Sequence, residues 1–214
     1  NRADQADPAL NRAWGRYFRE RGYSVLETDS KSGVGVNQFS AVIKTALKDQ
    51  IARWRERGQV GRPVRVMVVG VPNVGKSTFI NKVAKKKSAK AQDRPGVTRG
   101  KQWVSVDTGL DLLDTPGILW PKFEDQEVGR KLAFTGAIKD EIMDTEALAC
   151  ALMETLAERY PQALAERYHL QPEPDTRGWE LLEAAGRKRG FLISGGEVDT
   201  ERMARVLLDE FRGG

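Results

Sequence analysis

Apolar positions recur with different periods along the chain, and each change of period marks a new element. The stretch DPALNRAWGRYFRERG reads as a helix that Gly22 stops, with Asp7 as its cap and Pro8 in its first turn. YSVLET follows as a short strand. Apolar residues then fall at 36, 39, 43, 47, 51 and 54, the spacing of one helix over residues 35–57. GQVGRP is a turn. VRVMVVG is a continuous apolar run, of the type buried on both faces of a parallel sheet. A helix is predicted from Lys76, then two strands, KQWVSV and LDLLD, joined by a tight turn. A loop rich in charge and proline leads to a helix near residues 127–134.

The pattern changes after Asp144. TEALACALMETLAERYPQALAERY is helical with a break at Pro161, QPEPD is a linker, and GWELLEAAGRKRG and DTERMARVLLDEF are amphipathic helices. FLIS is the only short strand signal there. Strands alternating with helices predict an α/β domain with a mostly parallel sheet and helices on both faces over residues 1–142, and residues 143–214 predict a small all-α domain.

Composition narrows the class. No apolar run approaches the roughly 20 residues that span a bilayer, and the single cysteine, Cys150, cannot form an internal disulfide, which fits a reducing compartment and a cytoplasmic location. The net charge of +5 is unevenly spread. Residues 82–101 carry eight basic side chains against Asp93 alone, a net of +7. Arg53, Arg55, Arg57, Arg62 and Arg65 form a second basic cluster against Glu56. Two such runs flanking a nucleotide loop suit a polyanionic partner.

That loop is GVPNVGKS, which fits G-x-x-x-x-G-K-S at Gly70, Gly75, Lys76 and Ser77. The run Asn73, Val74, Gly75, Lys76, Ser77 and Thr78 is predicted to carry the phosphates of GTP or GDP. Glycines let backbone amides turn inward, Lys76 neutralises β/γ-phosphate charge, and the Ser77 hydroxyl ligates Mg²⁺. About forty residues on, LLDTPG supplies Asp114 for the Mg²⁺ shell and the Gly117 amide for the γ-phosphate. Thr98, in the intervening RPGVTRG, is the expected second Mg²⁺ ligand and γ-phosphate sensor.

The base-reading residues come first in the chain. In NRAD, the Asp4 carboxylate suits the N1–H and N2–H donors of guanine, which adenine lacks, Asn1 suits the O6/N7 edge, and the Arg2 stem suits the face of the base. Ser30 and Lys31 in TDSKSGVG fit the loop that offers backbone to O6, although Asp29 stands where such loops commonly have Ser. A guanine-reading loop is expected to follow a hydrophobic strand. That strand does not precede NRAD here, so the sequence is expected to be part of a longer chain. The motif order, base before phosphate before switch, is a circular permutation of the ordinary GTPase.

NRAD, GVPNVGKSTFIN, RPGVTRGKQW and DTPGILWPKFEDQEVGRKLAFTGAIKDE together resemble the circularly permuted GTPases of ribosome assembly, and RGFLISGGEVDTERMARVLLDEFRGG resembles their C-terminal helical domain. The resemblance implies a GTP-hydrolysing switch, monomeric and away from membranes, that binds ribosomal RNA on the precursor of the large ribosomal subunit. It implies that Lys76, Thr98, Gly117 and Asn73 serve hydrolysis, and that a further catalytic residue comes from an N-terminal segment not in this sequence. The position after D-x-x-G is Ile118, which cannot orient water. Asn73 has two readings: its side-chain oxygen holds a K⁺ beside the phosphates, as in potassium-activated GTPases, or it braces the loop. His169 is read as structural or exposed. Two other functions fit the same residues: a GTPase acting on another RNA, such as tRNA, and a membrane- or protein-binding switch working through the helical domain.

Overall fold

A computed structural model describes residues 1–84, 102–107, 109–119, 124–140 and 143–214. It divides into two compact units, Asn1–Trp120 and Pro121–Gly214. The sequence boundary was expected near residues 140–145. The helix before that point, α5 (Gln126–Phe134), is grouped with the second unit because Ala133 and Phe134 are buried in its helical core.

In the first unit, helix α1 (Pro8–Glu20) starts where Asp7 accepts the amides of Ala9 and Leu10, as its sequence predicts. YSVLET does not form a strand. Extended backbone becomes a strand only when a neighbour takes its hydrogen bonds, and among the described residues no strand lies beside it. The single helix expected over 35–57 is a short 3₁₀ turn, α2 (Phe39–Ala46) and α3 (Lys48–Glu56), broken where Leu47 leaves helical geometry.

The sheet has three strands in the order β1-β3-β2. β1 (Val64–Val68) runs parallel to β3 (Leu110–Asp114), which pairs antiparallel with β2 (Gln102–Asp107). Ile80 of helix α4 (Lys76–Val83) packs on one face against Val104 and Leu112, with Phe39 and Phe79 edge to face beside them. VRVMVVG is therefore buried on one side only. Its alternate residues Met67 and Val69 are about 60% exposed, as is half of Trp103.

The second unit packs α6 (Thr145–Arg159), α7 (Pro161–Tyr168), α8 (Gly178–Lys188) and α9 (Thr200–Gly213) around Leu152, Met153, Leu182, Leu207 and Leu208. FLIS contributes an isolated bridge between Leu192 and Val198 rather than a strand. Among the described residues, no helix is long and apolar enough to cross a membrane.

Candidate nucleotide-binding site

The site lies at the ends of β1 and β3 that face α4. β1 leads into the loop 69–75, and α4 begins at Lys76 with Gly75 in the left-handed region as its cap. The first amides of α4 have no partner further up the helix and so favour an anion. Asn73 is also left-handed, at φ 58°. The Lys76 ammonium folds back over its own loop and donates to the carbonyls of Gly70 at 3.2 Å and Val71 at 2.9 Å. Burial lowers its pKa, with the nearby Asp114 charge acting in the opposite sense.

Asp114 is buried at the end of β3 and accepts a 3.1 Å hydrogen bond from the Ser77 hydroxyl. The segment after it is laced onto the phosphate loop. Thr115 Oγ1 donates to Val68 O at 2.6 Å, and the Ile118 amide donates to Gly70 O at 3.3 Å. A side-chain carbon on Gly117 would meet the Pro72 backbone nitrogen at 2.6 Å, so only glycine fits this approach. Ile118 points its side chain to solvent, 69% exposed.

Asn1 joins the base-reading segments to the phosphate loop. Its Nδ2 donates to the carbonyls of Val74 at 3.0 Å and Gly75 at 3.1 Å. Its Oδ1 accepts from Ser30 Oγ at 2.6 Å, the Ser30 amide at 3.2 Å and Thr28 Oγ1 at 3.3 Å. The Ala3 amide donates to Thr28 O at 3.1 Å. Arg2 reaches Asn73 O at 3.5 Å, and Asp4 is exposed.

Comparison with known proteins places the chain in a family. A family model described as a 50S ribosome-binding GTPase matches residues 65–167. Ribosome biogenesis GTPase A of Bacillus cereus is 44% identical over 214 residues, which is all of this chain and 72% of that protein. That of Priestia megaterium is 46% identical over 213 residues, covering 99% of this chain and 74% of that protein. The chain belongs to the ribosome biogenesis GTPase A family. Two solved structures share the fold at 27% identity over the whole chain: GDP-bound TM YlqF, with a TM-score of 0.62 and 76% of that chain covered, and GNP-bound YlqF from T. maritima, with 0.57 and 75%.

As a member of the ribosome biogenesis GTPase A family, the protein is a GTPase with the circularly permuted P-loop fold followed by helices. Several of the residues expected at the base also hold the site together. Both ends of the Asn1 amide are engaged inside the protein, so it ties three segments of the site together. The amides of Ser30 and Lys31 are likewise engaged, on Asn1 Oδ1 at 3.2 Å and Asp29 Oδ1 at 2.8 Å. Asp29, which replaces the usual Ser, shapes this turn by also accepting the Ser32 amide at 3.1 Å. The Ser32 hydrogen bond, followed by those from the two backbone amides, holds its carboxyl below the ordinary range.

Thr28, Pro72 and Thr115 join the site although the sequence did not mark them. Lys82, the first residue of the basic run, donates to Lys31 O at 3.4 Å and so ties the base-side turn to α4. The Thr28 contact carried no local signal, because its partners are remote in sequence. Thr98, with residues 85–101 around it, lies outside the described residues. His169 caps α7 in left-handed geometry, far along the chain in the helical unit.

Proposed function

We propose that this GTPase is a GTP-operated switch that binds ribosomal RNA on the maturing large ribosomal subunit, acting as a cytoplasmic monomer. The observation that supports a switch is the lacing of Thr115, Gly117 and Ile118 onto Val68, Pro72 and Gly70. A segment that touches the phosphate loop through backbone and one hydroxyl senses whatever occupies that loop.

The site suits a nucleoside triphosphate with Mg²⁺. Lys76 is partly buried against two neutral carbonyls, and its lowered pKa shows a cation that an adjacent phosphate would stabilise. Ser77 and Asp114 already meet at 3.1 Å, an alcohol beside a carboxylate, the hard oxygen donors that Mg²⁺ takes. In this reading Asn73 to Thr78 cradle the phosphates with their amides. Ser77, Thr98 and Asp114 would hold Mg²⁺, which would neutralise phosphate charge when bound. Lys76 carries the remaining positive charge, and Gly117 offers its amide to the γ-phosphate. Asp4 selects guanine, the Arg2 stem covers it, and the turn Ser30–Lys31 lies along O6, held in shape by Asp29 and Asn1. Asn73 is the candidate K⁺ ligand.

Support for the RNA partner comes from family membership and from the two basic runs. The relatives are named for a role in ribosome biogenesis. The test is co-sedimentation of the protein with purified large-subunit precursors, with a non-hydrolysable GTP analogue or GDP, against anionic liposomes. Retention on precursors should be stronger with the analogue, and absent on liposomes. Equal retention in both nucleotide states would overturn the switch, and retention on liposomes alone would overturn the RNA partner.

A further inference from the structure

Five arginines of the helical unit are ion-paired, whereas one run of arginines in the first unit is not. In the helical unit Arg167, Arg187, Arg189, Arg205 and Arg212 each face a carboxylate. In the first unit Arg53, Arg55, Arg57, Arg62 and Arg65 are all exposed, and none forms an ion pair among the described residues. These five lie at the C-terminal end of α3 and the start of β1. Arg53 Nε donates to Asp49 O at 3.4 Å, and the Arg57 amide caps α3 on Arg53 O at 3.3 Å. The chain then turns through the Gln59 amide, which donates to Trp54 O at 2.9 Å. That turn lays the Arg62 guanidinium over the Trp54 ring, 4.7 Å from its centroid, with one N–H on Gln59 Oε1 at 2.7 Å. Arg65 lies over Trp103 at 5.1 Å.

The α3 carbonyl end accounts for one or two cations near its last turn, a modest and local effect. It does not account for five, nor for Arg62 and Arg65 beyond the helix. Each of those two sits over an indole, which limits its side-chain freedom, so less is lost when the outer N–H groups meet an acceptor. Trp54 is half-buried beneath Arg62, so the exposed chemistry is guanidinium rather than an aromatic face for base stacking. Arrayed, pre-ordered guanidiniums fit phosphodiester oxygens.

We infer that the Arg53–Arg65 surface is a docking site for an RNA phosphate backbone, read by charge and without base specificity. This rests on the RNA partner proposed above and locates part of that contact. The surface is at the start of β1, while the phosphate loop follows its other end, about 17 Å along a five-residue strand. None of its five arginines belongs to the nucleotide site, so its own contribution to RNA binding is expected to be the same in either nucleotide state.

The experiment is fluorescence anisotropy of the full chain with a labelled 20-nucleotide RNA at several salt concentrations, in GDP and in a non-hydrolysable GTP analogue. Replacing Arg55, Arg57 and Arg62 together by Gln should weaken RNA binding on the order of tenfold at ~0.1 M salt, and should reduce the slope of log K against log salt by about 2, at roughly 0.7 per phosphate lost. Replacing the same three by Lys keeps the charge and should retain the slope. GDP affinity, measured in parallel, should not change in either variant, which also reports that both fold. An unchanged slope in the Gln variant overturns the inference. So does displacement of the RNA by poly-glutamate as readily as by unlabelled RNA, which would assign the surface to an acidic protein. If precursor binding proves nucleotide-independent while this slope change is seen, the switch fails and the docking surface stands.

Discussion

Asn1 and Gly75 are fitted to each other. The Asn1 amide nitrogen donates to Gly75 O at 3.1 Å, and a side-chain carbon on Gly75 would overlap that same nitrogen. The glycine that caps α4 thus serves two purposes. It adopts a left-handed conformation at φ 83°, and it leaves room for the side chain that ties the base-reading segment to the phosphate loop.

Asn1→Ala should therefore weaken GDP and GTP alike. It removes both donors from the Val74 and Gly75 carbonyls and an acceptor from Thr28 and Ser30, a loss of about 1–3 kcal/mol, or roughly 5- to 100-fold in affinity. Titration with fluorescent GDP and GTP analogues measures it. A drop confined to guanine over adenine discrimination, with total affinity kept, would mean that Asn1 reads the base instead of bracing the loops.

Base selection should rest on Asp4. Its exposed carboxylate has room to accept N1–H and N2–H of guanine, and Asp4→Asn exchanges that pair of acceptors for an amide that suits xanthine. The variant should lose guanine affinity by on the order of tenfold or more and gain xanthine nucleotides, because a buried donor or acceptor left unmatched costs about 1–3 kcal/mol. Competition of GTP, XTP and ATP for the same site checks it. An unchanged preference for guanine would remove Asp4 from the base contact.

The phosphate loop and its helix were legible in the sequence because their determinants are adjacent. Gly70, Gly75, Lys76 and Ser77 sit within eight positions, and the loop's geometry is local. The helices from α6 to α9 were legible through their apolar spacing. What failed to show was pairing between distant segments. YSVLET has strand composition, but a strand is defined by its neighbour. VRVMVVG reads as buried on both faces, yet Met67 and Val69 are exposed because only one face meets α4. The bracing bonds of Asn1 could not be read from sequence because its partners Val74 and Gly75 lie 73 and 74 residues away. Residue type reported what each group could do, and the fold decided which partner took it.

Hydrolysis by the protein alone should be slow and sensitive to the monovalent cation. Ile118, 69% exposed, offers no group to orient water, which leaves charge neutralisation as the available route to acceleration. Asn73 stands in the phosphate loop in left-handed backbone geometry, at φ 58°, and is the candidate K⁺ ligand of the proposed function. K⁺ should raise single-turnover hydrolysis over Na⁺ by on the order of tenfold, the size of one modest electrostatic contact. Asn73→Ala should erase the difference while GDP affinity changes little. Equal rates in the two salts for the unaltered protein would leave Asn73 as a brace for the loop.

Glu210 should govern how the helical unit responds to acid. It accepts from Arg167 Nε at 3.1 Å, from Arg189 at 3.0 and 3.1 Å, and from the Tyr168 hydroxyl at 2.6 Å, so one carboxylate of α9 ties down α7 and the end of α8. The Arg167 hydrogen bond, then those of Tyr168 and Arg189, hold its carboxyl at about 2 against an ordinary 4.5, with burial opposing. Burial first, and then the Glu210 bond, raise Tyr168 above its ordinary value. A carboxyl depressed in the folded state takes up its proton later than in the unfolded chain. Its stabilisation is therefore complete above an unfolded-state value of about 4.5 and is lost as pH falls toward about 2. Glu210→Gln should lower stability at neutral pH by about 1–3 kcal/mol, because two arginines lose a charged acceptor. It should also flatten the acid limb of stability across that same window, since the residue no longer titrates there. Urea unfolding followed by far-UV circular dichroism at pH steps between 2 and 7, on the full chain and the variant, measures both effects. A variant as stable as the parent at pH 7, or one whose acid limb runs parallel to the parent's, would show that the three donors are held by their own packing and that Glu210 merely accompanies them.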